Sequence, residues 1–321
     1  MEKLEVFIIN LFMLGENFST YNNQRVRDTT TIQCEGFKFE FKQLNIKQKQ
    51  KDFVNQSIIT TKITIENISL DQVEQILGII DDLCWLLSFI QQSPVCRHGY
   101  KINSNESWTS CLGVIVNPLN NIIESYGTEI RNFIEQVYPT FKKLKSTRQL
   151  TVIFGYLCEA NRASLALEIS LISHYVAIEN LKNTFALDNK YEYLGQNFTH
   201  KDFPHLDSAP LDIENYWPPK GKRKKYIHKT YGQISLTEMT LRMFEANNFE
   251  RAEITPFLNK RHTMIHEGIL LPFGDINYSK QAMEDLRDVS DLLRQYLLTL
   301  LNYQGSYYLS RDRIGPSGLI T

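Results

Sequence analysis

Between Ile32 and Leu44 hydrophobic and polar residues alternate, with Phe37, Phe39 and Phe41 set against Lys38, Glu40 and Lys42. A period of two places the three aromatics on one face of a sheet. A second run, Ser57 to Glu66, is rich in Ile and Thr and reads as another strand. Lys47-Gln-Lys-Gln-Lys51 between them reads as a polar hairpin tip or loop. The first seventy residues are therefore expected to be β. The period then changes. Ser69 to Glu74 opens a helix, and Ile76, Ile79, Ile80, Leu83, Leu86 and Leu87 recur at helical spacing behind it. The apolar stretch Cys111 to Val116 reads as one more strand.

From Pro118 onward the spacing is helical, first through Ile122, Ile130, Phe133, Ile134, Val137 and Phe141. Residues 148–186 read as two long helices, the second carrying Leu165, Leu167, Ile169, Leu171, Ile172, Val176, Ile178 and Leu181. A loop at 187–234 exceeds the usual helix connection. Three helices at about 235–247, 255–267 and 279–302 close the chain, ahead of a tail with Gly305, Gly315, Pro316 and Gly318 that reads as mobile. The pattern predicts an α+β fold: a β-rich N-terminal domain over 1–146, an all-α domain over 147–303, and a flexible tail over 304–321.

Length agrees, since 321 residues suit two domains. A hydrophobic share of 42% with 22% charged residues supports a packed core and excludes a disordered chain. Lys and Arg number 35 against 36 Asp and Glu, and both halves of the chain are balanced, which argues against coating of nucleic acid by global positive charge. A polyanion partner must meet a local patch. The five cysteines are odd in number and never form Cys-x-x-Cys, so free thiols are the simpler reading than disulfides or a zinc site. The apolar run Val6–Leu14 fails as a secretory leader: Glu2 and Glu5 offset Lys3, Asn10 interrupts it, and Gly15-Glu16-Asn17 follows. No run approaches the 18 or so apolar residues that span a bilayer. A soluble, cytoplasmic protein without membrane partners is expected.

Phosphate-binding Gly-rich loops, the dinucleotide fingerprint, the serine nucleophile elbow and the His-Glu-x-x-His metal motif are all missing. What remains is Thr255-Pro-Phe-Leu-Asn-Lys-Arg-His-Thr-Met-Ile-His-Glu-Gly268. Thr255 reads as the N-cap, Pro256 as the first helical residue and Gly268 as the stop. Phe257, Arg261 and Ile265 share one stripe, so Arg261 projects from an apolar face; Leu258, His262 and His266 form the neighbouring stripe. Structural readings compete with functional ones. Arg261 suits an ion pair with a buried carboxylate such as Glu179. His266 suits a helix C-terminus, where the dipole favours it. His262 and His266 have the spacing of a metal pair but lack a third ligand, so no metal is expected.

The run Arg261-His262-Thr-Met-Ile-His266, on a helix before one last long helix, resembles the HEPN superfamily, whose hallmark is Arg, a polar residue, three to five further residues, then His. Ala177-Ile-Glu-Asn-Leu181 looks like the family's earlier helix, and the resemblance covers roughly 150–302. The same spacing at Arg223–His228 lies in a Pro- and Lys-rich stretch without helical pattern. Chains with a C-terminal module of this kind recur among bacterial abortive-infection proteins of the ApeA-like type. The resemblance implies an endoribonuclease that needs no metal or cofactor, cleaving RNA by attack of the 2′-hydroxyl on the adjacent phosphate. His266 would move the proton and Arg261 would stabilise the developing charge, with His262 in the polar slot and Glu179 supporting. At 100° per residue Arg261 and His266 stand about 140° apart. Family members pair two motifs across a homodimer, so a dimer through the helical domain is implied, with the N-terminal domain meeting a trigger ligand or protein. A HEPN module that binds nucleotide or RNA without cleaving is the alternative.

A second candidate site is the basic segment Lys220, Lys222, Arg223, Lys224, Lys225 and Lys229, interleaved with Tyr216, Trp217, Tyr226 and Tyr231. Charge beside stacking rings suits single-stranded RNA; a solvated loop is the plain reading. His200, His205, Asp207 and Asp212 have the residue types of a metal loop, but loop spacing gives them little weight. Arg97, His98 and His174 read as structural, and the Phe37–Phe41 face as core.

Overall fold

In the computed structural model the described residues are 2–21, 24–44, 53–54, 56–103, 105–109, 114–117, 120–162, 164–193, 226–228, 232–267, 276–310 and 318–319. The fold is α+β. Seven antiparallel-paired strands form the N-terminal sheet: β1 Glu2–Ile9, β2 Asn17–Tyr21, β3 Gln24–Cys34, β4 Phe37–Gln43, β5 Ile59–Ile68, β6 Cys96–Ile102 and β7 Asn105–Trp108. Their order is β2-β3-β4-β5-β1-β6-β7, so the first strand is inserted between two later ones. Val6–Ile9, the first part of the apolar run Val6–Leu14, thus belongs to an interior strand. Its register sets Val6 opposite Ile63 and Leu4 opposite Ile65, while Phe41 meets Ile63 from the other side.

Alternation explains the layers. Leu4, Val6, Ile8, Phe39, Phe41, Ile63 and Ile65 are buried, whereas Glu40, between the two phenylalanines, is exposed. The expected aromatic face is core, each fully buried ring contributing about 1.5–3 kcal/mol. Two helices pack against the sheet, α1 Val73–Gln91 against β6 and α2 Gly127–Leu144 against β3. A 3₁₀ turn at Leu70–Gln72 leads into α1, and the Ser69 N–H donates to Gln72 Oε1 at 3.0 Å. The N-terminus of α2 approaches β3 closely, for a Cβ on Gly127 would lie 1.9 Å from Thr30 Oγ1. Arg131–Glu16 and Lys142–Glu35 ion pairs flank that contact. Of the stretch expected as a strand at 111–116, residues 111–113 lie outside the described residues, and Val116 makes a single bridge to Val54.

The helical half comprises α3 Leu150–Ala160, α4 Leu167–Asp188, α5 Leu236–Glu245, α6 Arg251–Glu267 and α7 Ile276–Leu300. Helix α4 is central, touching α3, α5 and α7. Its Leu171, Tyr175, Ile178 and Leu181 are buried, but Ile169, Ile172 and Val176 remain 47%, 37% and 37% exposed, so the helix is not enclosed all round among the described residues. Within the span expected as a long loop, β8 Glu192–Tyr193, β9 Tyr226–His228 and β10 Gly232–Ile234 form a three-stranded sheet in the order β10-β9-β8.

Part of the span expected as a flexible tail, residues 304–310, is held by hydrogen bonds. The Gln304 N–H donates to Gln136 Oε1 at 3.1 Å, and the Tyr308 N–H to the Ile122 carbonyl at 2.7 Å. A two-residue strand, Ser306–Tyr307, pairs with Gly318–Leu319. Residues 304–310 are thus strapped across the front half, because Tyr303 and Tyr307 are buried there.

One apolar cluster runs from the sheet through α1 into the helices. At its middle, Phe154 of α3 stacks on Phe89 of α1 at 4.7 Å between ring centroids, and on Phe141 of α2 at 6.0 Å. Removing a fully buried ring costs about 3–5 kcal/mol. Phe154→Ala is therefore expected to lower the unfolding free energy measured in urea by that amount, with far-ultraviolet circular dichroism and tryptophan fluorescence still moving in one transition. Separate transitions for the two signals would show that the stack does not couple the halves.

Candidate functional site

Helix α6 begins one turn earlier than its sequence signals. Thr255 is not the N-cap; its hydroxyl donates to the Arg251 carbonyl at 2.7 Å, and Pro256 lies inside the helix. The reason is tertiary. Arg251 forks onto Glu238 at 2.8 and 2.9 Å and also pairs with Glu245, both on α5, which fixes the chain before Thr255 is reached. The guanidinium holds the Glu238 carboxyl down at about 2, burial opposing it and Arg242 adding to the effect. Ile254 and Leu258 then bury one stripe of α6.

Arg261, His262 and His266 all fall within α6, and their side chains lie outside the described residues. Glu179, on α4, accepts from Lys182 one turn along the same helix. Lys182 is 1% exposed and sits 5.7 Å from the centroid of the Tyr226 ring. Tyr226 is itself buried and donates its hydroxyl to Asn183. It therefore belongs to the core, not to a stacking surface for RNA, which corrects the expectation for that ring. The basic residues Lys220, Lys222, Arg223, Lys224, Lys225 and Lys229 lie outside the described residues, as do Tyr216, Trp217, Tyr231 and the residues of the 200–212 metal reading. Among the described residues no group of three or more His, Cys, Asp or Glu is placed to hold a metal ion. Among them, too, no helix is long and apolar enough to cross a membrane.

Arg97, expected to be structural, forks onto Asp81 with both bonds at 2.8 Å. His174, given the same reading, has a further property. It lines a cavity of about 200 Å³ between α4 and α7, together with Arg294, Arg287, Ser290, Asn161 and Gln92. Arg294 is 2% exposed; it donates to Ser310 Oγ at 2.8 Å, to Gln92 Oε1 at 3.3 Å and to Asp291 at 3.4 Å. Asp291 in turn accepts the Ser310 N–H at 2.8 Å, so the strap after α7 closes one wall. The His174 Nδ1–H donates to the Ser170 carbonyl at 2.8 Å, which leaves Nε2 as an acceptor. No sequence motif marks this group, since its members come from α1, α4, α7 and two connections. The only hint is Arg287, Ser290 and Arg294 at helical spacing.

No family model matches the chain, and no curated protein or solved structure matches it either. The chemistry of the site therefore rests on its residues alone.

Burial pushes the His174 imidazole down to about 4; the Ser170 carbonyl opposes this shift, and the nearby Arg294 charge adds to it. An unfolded histidine titrates near 6.5. As pH falls the unfolded chain thus takes up the proton first. The stability His174 contributes is complete above about pH 6.5 and is lost on descending toward pH 4, a change of ~3 kcal/mol. Urea denaturation at pH 7.5, 6 and 5 is expected to show this decline in the wild type and a shallower one in His174→Leu. Equal slopes would place the neutral imidazole elsewhere.

Proposed function

We propose that the chain is a metal-independent endoribonuclease of the HEPN type, acting in the cytoplasm in bacterial defence or toxin-like growth arrest. The observation that carries this reading is the single helix Arg251–Glu267, which bears Arg261, His262 and His266 and stands immediately before the last long helix, Ile276–Leu300. Arginine offers a planar fork to the charge that develops on phosphorus oxygens, and histidine transfers a proton near neutral pH. The 2′-hydroxyl of the substrate would lose its proton and bond to the adjacent phosphorus while the 5′-oxygen leaves and is protonated. His266 serves these proton transfers, Arg261 the phosphate, and a second copy of the helix in a homodimer supplies the partner groups. His262 and Glu179 have supporting places. Lys220, Lys222, Arg223, Lys224, Lys225 and Lys229 would hold the RNA backbone, and the N-terminal sheet would receive the trigger that restrains or releases cleavage.

A second reading, a HEPN-type module that binds nucleotide or RNA without cleaving it, is favoured by the polar cavity at His174 and Arg294. The two readings part in one assay, cleavage of single-stranded RNA in EDTA by the full chain. The wild type is expected to cut, and Arg261→Ala and His266→Ala to lose at least a hundredfold in rate, in the range that general acid–base catalysis supplies. Circular dichroism of each variant checks that it is folded. Full activity in both variants would overturn the assignment, activity abolished by EDTA would point to a metal, and binding without cleavage would select the second reading.

A further inference from the structure

We propose that the cavity between α4 and α7 binds a phosphate monoester that also carries a hydrogen-bond donor, a ligand of the size of a ribose phosphate. The proposal does not depend on the Arg261–His266 reading and uses none of its residues.

Charge supplies the first argument. Among the described residues two guanidinium groups line the cavity and no carboxylate does. Arg294 lies at the floor, 2% exposed, and Arg287 at the mouth, exposed; seven residues apart, they fall on one stripe of α7. Arg294 is held in place by Ser310 at 2.8 Å, Gln92 at 3.3 Å and Asp291 at 3.4 Å, so its charge is fixed at the floor. An anion entering between Arg287 and Arg294 would meet the planar fork of Arg287 and that fixed charge.

Hydrogen-bond polarity supplies the second argument, and it separates a phosphate ester from a bare anion. With Nδ1 donating to Ser170, the Nε2 of His174 presents a lone pair, and no described residue donates to it. His174 is 5% exposed and lines the cavity. An acceptor on one wall and cations on another call for a ligand that both donates and is negatively charged. A sugar phosphate has a hydroxyl for His174 and a phosphoryl group for the arginines. Ser290, Asn161 and Gln92 add polar surface between them.

Size supplies the third. About 200 Å³ is more than an inorganic phosphate fills, and less than the ~300–1,000 Å³ of sites for larger organic ligands. Met283 and Leu286 give the cavity an apolar side against which a sugar ring packs.

Isothermal titration of the full chain with ribose 5-phosphate, inorganic phosphate and ribose tests the assignment. Ribose 5-phosphate is expected to bind most tightly, phosphate at least tenfold more weakly, and ribose not measurably. Arg287→Ala, at the exposed mouth, is expected to weaken ribose 5-phosphate at least tenfold while leaving the melting temperature of the free protein in place. His174→Phe is expected to bring ribose 5-phosphate down to the affinity of phosphate. Arg261→Ala is expected to bind as the wild type does, so the outcome is read apart from RNA cleavage. Competition by a 5′-phosphorylated oligoribonucleotide would support the site and identify an RNA end as its source; lack of competition with binding intact would support a free sugar phosphate. Absence of binding at millimolar ribose 5-phosphate, equal affinity for phosphate, or equal affinity in Arg287→Ala would overturn the proposal.

Discussion

The ring of Phe154 is packed between Phe89 and Phe141, and nearly every other relation in the molecule follows from that enclosure. Phe89 belongs to the helix that joins β5 to β6, Phe141 to the helix that presses on β3, and Phe154 to the first helix of the second half. Sheet, crossover helix and bundle are thereby held to one apolar core. Dense packing tolerates few alternative placements of such rings, so the geometry of α1 is passed on to α3, and through α3 to α4. The cavity that α4 shares with α7 is positioned by the same chain of contacts, as Gln92, at the end of α1, is one of its lining residues.

Two kinds of chemistry are distributed over the helical half. One lies along α6, where Arg261 and His266 continue a helix whose first turn is anchored by Arg251. The other lies between α4 and α7, where charge and acceptor face a shared space. Both proposals use the same pairing, guanidinium for phosphate oxygens and a neutral imidazole for a hydrogen. They differ in setting. The second has buried groups with identified partners on several elements, whereas the first needs a second copy of its helix for the cleft that the HEPN reading requires.

Much of the fold is readable from periodicity because periodicity reports burial directly. Phe37, Phe39 and Phe41 point inward for the reason their spacing implies, and Ile130, Phe133, Ile134, Val137 and Phe141 line the inner face of α2. The start of α6 is not readable, since it is set by Glu238 and Glu245 on another helix, and Thr255-Pro256 offers a convincing local signal one turn too late. Tyr226 misleads in a similar way: a tyrosine beside lysines has the composition of a nucleic-acid surface, yet its ring packs inside. The cavity is silent in the sequence because its residues run from Gln92 to Ser310 and each has an ordinary neighbourhood. The motif at Arg261–His266 is legible for the opposite reason, being local to one helix.

The strap that follows α7 has a consequence for the order in which the molecule is completed. Ser310 supplies both a hydroxyl to Arg294 and an N–H to Asp291. A ribosome delivers the sheet and most of the helices well before that residue emerges. During synthesis the chain can therefore bury its aromatic stack while the floor of the cavity is still open to water. A chain cut short upstream of Ser310 would lack both of these bonds.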